Sequence, residues 1–349
     1  MQPVDRLPFW PKLNGSYAPA QDTPFCDMTV DALHDCVGSD RHVGVGAITR
    51  DVRKTTSVEV TEEDGARRTV YESPYGRTEG VAGYDAGSHS WHPLTYPVRT
   101  LQDIAVLKAC YEDLEVELDP GLLEDTRGRV ADLDGEVLTV GGMGTSALMM
   151  WVQHLAGIEN AHYFLIEHPA EVCELFDAMH RVMLRRAEIV CEHAPWDLTY
   201  ITENTSTTLT SPDQYRTYCH PHLQEYTAIA AQAGRLVALH MCGHLKLLLP
   251  DLATLPVAAF EAFTTPTLGA TTLLDGRTAC PDTCLIGGTN AMTWLQTPEA
   301  IITELDAGLA PLPHHRGLVL TSAGVMPPLC SPDTIRAVCQ WVRDYPARM

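Results

Sequence analysis

Among the short motifs of this chain, His240-Met241-Cys242-Gly243-His244 has the sharpest chemistry. A spacing of two on an extended strand points His240 and Cys242 to the same side, where a nitrogen and a sulfur could bind one ion. A mixed N/S pair suits zinc. For a bare His-x-Cys the commoner explanation is packing, with a small buried cysteine beside a hydrogen-bonded histidine. The place of this pair, at the end of an apolar run, turns the reading toward ligands. A catalytic zinc takes about three protein ligands and keeps one position open, so a further ligand must come from elsewhere; Glu203, Glu261 and Cys330 are the candidates. Cys330, in Pro327-Pro328-Leu329-Cys330-Ser331-Pro332, is equally well explained as a cysteine capping the last helix. Glu261 and Glu203 are also the candidates for catalytic proton transfer.

Other signals are weaker or missing. There is no G-x-S-x-G elbow, no G-x-x-x-x-G-K-[ST] loop and no strand-linked G-x-G-x-x-G, which removes the commonest hydrolase, NTPase and dinucleotide signatures. Gly141-Gly142-Met143-Gly144-Thr145 could hold an anion at a helix start, although a tight strand–helix turn explains it as well. Cys219-His220-Pro221-His222 falls within a helix, where its side chains diverge. Eleven cysteines without regular spacing do not form a disulfide framework.

These residues need strands to position them. Continuous apolar runs at residues 7–10, 43–48, 137–140, 198–202, 236–240, 257–260, 284–287 and 318–321 are each followed by a helical pattern. Unbroken runs mark strands buried on both faces, and strand–helix alternation marks parallel pairing. Eight such units predict an α/β fold, a (β/α)8 TIM barrel forming a single domain over residues 1–349. Functional groups then belong at the C-terminal strand ends: Lys12, Asn14, Glu203, Asn204, His240, Cys242, Glu261, Asn290 and the loop ending in Cys330. Apolar residues at Val172, Phe176, Met179, Met183, Ala187 and Val190 predict one long amphipathic helix. Ser211-Pro212 starts another, which Pro221 should kink. Alternation around Glu63-Asp64-Gly65 predicts a β-hairpin insertion after strand 2, and residues 73–100 are expected to wrap over one mouth, for an insertion of about 52–100.

With 24 Lys+Arg against 45 Asp+Glu the net charge is −21, and no basic cluster could track a phosphate backbone or an anionic membrane. Residues 1–10 carry Asp5 and two prolines instead of a basic stretch and an apolar core, and no apolar run approaches the ~20 residues of a spanning helix. The expected location is cytoplasmic.

The chain resembles the uroporphyrinogen decarboxylase superfamily over nearly its whole length. The carriers are Pro3-Val4-Asp5-Arg6-Leu7-Pro8-Phe9-Trp10, Ser73-Pro74-Tyr75-Gly76, Tyr96-Pro97-Val98, Ser211-Pro212-Asp213-Gln214-Tyr215, His240-Met241-Cys242-Gly243 and Gly287-Gly288-Thr289-Asn290. The true decarboxylases carry an arginine-rich segment near the N-terminus that grips the propionates of a tetrapyrrole. Here Gly15 and Tyr17 match it and the arginines are missing, which argues against uroporphyrinogen as substrate. The resemblance implies Lys12, Asn14, Tyr17, Asn204 and Asn290 as substrate-binding residues.

Its His-x-Cys is nearest to the zinc-dependent methyltransferases that move methyl groups between corrinoid proteins and thiols such as coenzyme M. In that branch a cysteine usually follows a glycine directly after strand eight; here Val325 follows Gly324, and the next cysteine is Cys330. The resemblance implies a zinc-dependent thiol methyltransferase or demethylase, a corrinoid on a separate partner protein, and a homodimer. The alternative is a cofactor-free decarboxylase acting on a small carboxylated substrate. A barrel that binds without catalysis comes third.

Overall fold

The computed structural model of the protein describes residues 5–13, 15–87 and 90–348. Asn14 and His89 therefore lie outside the described residues. The strands are β1 (His42–Gly46), β2 (Thr49–Val52), β3 (Ser57–Glu63), β4 (Ala66–Ser73), β5 (Gly76–Asp85), β6 (Ser90–Thr95), β7 (Glu115–Leu118), β8 (Leu138–Gly144), β9 (Leu198–Thr202), β10 (Leu236–His240), β11 (Ala259–Phe263), β12 (Cys284–Gly287) and β13 (Leu318–Leu320).

Seven of them form one curled parallel sheet in the order β1-β8-β9-β10-β11-β12-β13. Each falls on an apolar run predicted from sequence, because a strand covered by helices on one side and by the barrel interior on the other has no face left for polar residues. The N-terminal segment runs parallel beside β13 through bridges Phe9–Leu320 and Lys12–Val325. On its other side, Asp40 N–H donates to the Phe9 carbonyl at 2.8 Å. The result is an α/β fold of TIM-barrel type with seven of the eight expected strands in the sheet, the N-terminal segment contributing isolated bridges in place of the eighth.

Alternation sorts the residues of each strand. Trp10, Val140, Leu198, Ala238, Ala259 and Ile286 meet in an inner cluster, while their neighbours pack outward under the helices. The helix Pro169–His193 buries the predicted stripe and stops where Pro195 follows. Ser211 caps the next helix, Pro212–Tyr218, with a reciprocal Gln214 contact; the chain breaks at Cys219 and resumes as His220–Gln232, since Pro221 has no N–H to continue the ladder.

Two expectations change. Residues 57–85 and 90–95 form a four-stranded antiparallel sheet, β3-β4-β5-β6, so the segment expected to wrap a mouth is mostly strand. This sheet packs on the helix Leu101–Glu112, where Cys110 donates to the Glu72 carbonyl. The glycine run 141–144 is part of strand β8 and not a turn. A Cβ on Gly141 would stand 2.3 Å from the Trp196 ring, so the bare backbone is what lets the indole lie against the strand.

Burial holds His34, His42 and His222 neutral, each brought down to about 4. The unfolded chain takes up these protons near pH 6.5 and the folded chain only near 4, so protons favour unfolding across that window. The urea midpoint should fall steadily as pH drops from about 6.5 to about 4; a flat midpoint would contradict the burial.

Candidate active site

Strand β10 ends on His240, and Cys242 follows on the same side, while Met241 between them turns into the outer core and is fully buried. In the parallel register His240 lies level with Thr202 of β9 and Glu261 of β11. Glu261 is in phase with the inner residue Ala259, so its carboxylate enters the same space. A register shift follows at once between Glu261 and Phe263, with Ala262 between them at φ +60°. Such a bulge re-aims the side chains beside it.

Glu261 is shared between two cations. One oxygen accepts from His240 Nδ1, and the other pairs with Lys12 Nζ at 2.5 Å. The carboxylate is 1% exposed, against 16% for the Lys12 side chain and 18% for His240, so the acid is underneath and the cations face the opening. Burial opposes charge on His240, but its contact with Cys242 and the Glu261 carboxylate outweigh that and lift it to about 9. Burial likewise opposes charge on Glu261, and the two cations overcome it, holding the acid well below the carboxylate range. One anion between two cations leaves one net positive charge at the mouth of a chain whose net charge is −21.

The loop after β13 fixes Lys12. Lys12 N–H donates to Ser322 Oγ at 3.1 Å, and Met326 N–H donates to the Lys12 carbonyl at 2.9 Å. Cys242 is exposed, and its thiol points to Asn204 Oδ1 at 3.5 Å, while Asn204 Nδ2 donates to Gln153 at 2.8 Å. Gly243 is required here, since a Cβ would come within 2.2 Å of Ser206.

The fold thus brings together Lys12, Asn204, His240, Cys242 and Glu261. It does not bring the others. Glu203, one residue past the inward Thr202, points outward and is fully buried; it accepts from Ser146 N–H and Ser146 Oγ, both at 2.6 Å, and from the Cys219 thiol at 3.4 Å. Burial raises its pKa. Cys330 is buried in the outer core, and the Tyr17 hydroxyl donates to its carbonyl at 2.7 Å, which accounts for Tyr17 as well. Asn290 is spent on its own loop, accepting from Met292 N–H and donating to the Pro266 carbonyl. Asn14 lies outside the described residues. Sequence reasoning missed Trp10, His42 and Tyr200, which line the interior; counting by twos back from the strand ends would have found them.

A zinc site needs about three ligands. His240 and Cys242 are two, Cys330 is elsewhere, and Glu261 already spans Lys12 and His240. Among the described residues no three His, Cys, Asp or Glu side chains converge where they could hold a metal ion. The donor set does not fit a resident zinc. Protein dialysed without chelator should therefore carry well under one zinc per chain, and the Cys242→Ser variant should carry the same. One tightly held zinc, lost in that variant, would contradict the assignment.

No helix among the described residues is long and apolar enough to cross a membrane. In fold the chain is similar to a methyltransferase from Methanosarcina mazei, at TM-score 0.59 and 15% identity over 98% of this chain and 95% of that one. A Listeria monocytogenes protein assigned as a vitamin-B12 independent methionine synthase aligns over 65% of this chain and 70% of its own, at 13% identity and TM-score 0.42. No curated protein matches the sequence. Residues 87–345 match the family described as uroporphyrinogen decarboxylase (URO-D), and the chain belongs to that family.

Proposed function

We propose that the chain is a methyltransferase-like enzyme whose barrel mouth takes a small anionic substrate, a thiolate, between Lys12 and His240. The observation that carries this is the Glu261 carboxylate shared by two cations that face the opening. In this reading the segment of residues 7–12 is the eighth stave of the barrel, there to deliver Lys12.

A thiol placed beside an ammonium and an imidazolium loses its proton more readily than in water, because both charges favour the thiolate. The proton leaves to solvent through the open mouth. The sulfur then forms a bond to a methyl carbon as that carbon's bond to its carrier breaks, and the electron pair of the broken bond stays with the carrier. The carrier would be a separate protein bearing a corrinoid, as the resemblance implies. No step is assigned to zinc. The likeness in fold to the Methanosarcina mazei methyltransferase supports a methyltransferase-like function.

The test is methyl transfer from free methylcobalamin to 2-mercaptoethanesulfonate and thioglycolate, compared with neutral 2-mercaptoethanol. The anionic thiols should turn over about tenfold faster, equivalent to about 1.4 kcal/mol, and Lys12→Gln should remove the preference. Equal rates, or no transfer to any thiol, would overturn the reading. The same pair of cations also suits a carboxylate, and the family description favours that as a second reading. There the C–C bond to the carboxylate breaks, carbon dioxide leaves, and the carbon takes its proton from the His240 imidazolium. Release of carbon dioxide without methyl transfer would select it.

A further inference from the structure

Beside the Lys12–Glu261–His240 group, one side of the barrel interior has been stripped of side chains. On β1 the inward positions are His42 and Gly44, on β8 Val140 and Gly142, and on β9 Leu198 and Tyr200. A Cβ built on Gly44 or Gly142 would meet nothing within 4 Å, whereas one on Gly141 or Gly144 would strike Trp196 or Met183. The outward glycines are explained by packing and the inward ones are not. They open a cavity of about 260 Å³ whose wall includes His42, Gly44, Gly142 and Tyr200. A second cavity of about 420 Å³ shares His42, Gly44 and Val140 with it and reaches Trp10 and Lys12.

The walls that do carry side chains are flat. The His42 ring lies 4.1 Å from that of Trp10 and 5.9 Å from that of Tyr200, the latter pair within 15° of parallel. Both polar tips of this stack are buried without a hydrogen-bond partner among the described residues: the Tyr200 hydroxyl and the Trp10 Nε1–H. Buried donors are normally satisfied, and two orphans in adjoining cavity walls call for an acceptor. Lys12 lines the second cavity together with His42 and Gly44, so the trough adjoins the charged group.

We propose that this trough is a subsite for the flat aromatic body of the substrate. The anionic group stands at Lys12 and His240, the ring lies over the bare backbone at Gly44 and Gly142, and an acceptor atom on the ring meets the Tyr200 hydroxyl or the Trp10 indole. The substrate class is a small aromatic or heteroaromatic anion. This rests on the reading of the mouth as an anion site and narrows it. Bare peptide planes accept a ring face that any side chain would block, and the aromatic stack favours a planar ligand over a saturated one of equal size.

The experiment is calorimetric titration of the intact protein with five probes: thioglycolate, cyclohexanecarboxylate, benzoate and the two pyridinecarboxylates with nitrogen at ring positions 3 and 4. Benzoate should bind about tenfold tighter than cyclohexanecarboxylate, and at least one pyridinecarboxylate tighter still. Gly142→Leu, whose strand backbone tolerates a side chain, should abolish the preference for the flat ring, and Gly44→Val should do so independently. Tyr200→Phe should remove the gain from the ring nitrogen while leaving the benzoate preference. Melting curves confirm that each variant is folded. Equal binding of benzoate and cyclohexanecarboxylate, with thioglycolate still bound, would overturn the subsite and leave the anion site standing; water alone would then fill the trough. Failure of every anion to bind would overturn the anion site itself, and the subsite with it.

Discussion

Glu261→Gln is expected to lower turnover by about a hundredfold or more and to move the pH optimum of what remains toward acid. The contact with Cys242 and the Glu261 carboxylate together keep His240 protonated up to about 9. With a neutral amide in place of that carboxylate, burial and the nearby Lys12 ammonium both disfavour the imidazolium and only the Cys242 contact still favours it, so the pKa of His240 falls. Protonation then requires lower pH, which sets the direction of the shift. The substitution also takes the counter-charge from a Lys12 side chain that is mostly buried, and breaking a buried ion pair costs about 3 kcal/mol. Profiles of kcat/KM against pH, with melting curves, check both parts. An unchanged optimum would mean that Glu261 does not set the charge of His240.

The second large effect separates the two glutamates. Glu203→Ala should destabilise the protein by about 3–5 kcal/mol, because it leaves the Ser146 N–H, the Ser146 hydroxyl and the Cys219 thiol without their acceptor in a fully buried place. Glu203→Gln should cost much less. Its amide oxygen can still accept from Ser146 N–H, and its amide nitrogen can donate to Ser146 Oγ once that hydroxyl rotates. The folded Glu203→Gln variant should keep kcat within about twofold, because the Glu203 side chain is spent on Ser146 and Cys219, away from the mouth. Glutamine is thus expected to be tolerated in place of Glu203 and damaging in place of Glu261. Loss of turnover in folded Glu203→Gln would return that residue to the catalytic group.

The contrast also shows what could be read from the sequence. The barrel staves were legible because burial on both faces writes itself as unbroken apolar runs, and His240 with Cys242 stood out by spacing. Glu203 and Glu261 looked alike as strand-end acids, yet phase separates them: Glu261 is two residues from the inward Ala259, while Glu203 is one residue from the inward Thr202. Cys330 could not be placed from sequence, because the path of a proline-rich loop depends on its contacts with Tyr17 and Lys12 from the far end of the chain. The strands within residues 73–100 were hidden by mixed exposure, with Pro93 tolerated on the edge strand β6. Gly141-Gly142-Met143-Gly144 reads as a turn because nothing local announces that Trp196 and Met183 will pack against Gly141 and Gly144.

The most direct test of the central claim, that Glu261 holds a cationic His240 beside Lys12 at the barrel mouth, is an NMR titration of the histidine rings, with His240 assigned by its loss in His240→Gln. One imidazole should titrate near 9 in the native protein and distinctly lower in Glu261→Gln. A His240 ring that titrates at the ordinary value in both proteins would contradict the account.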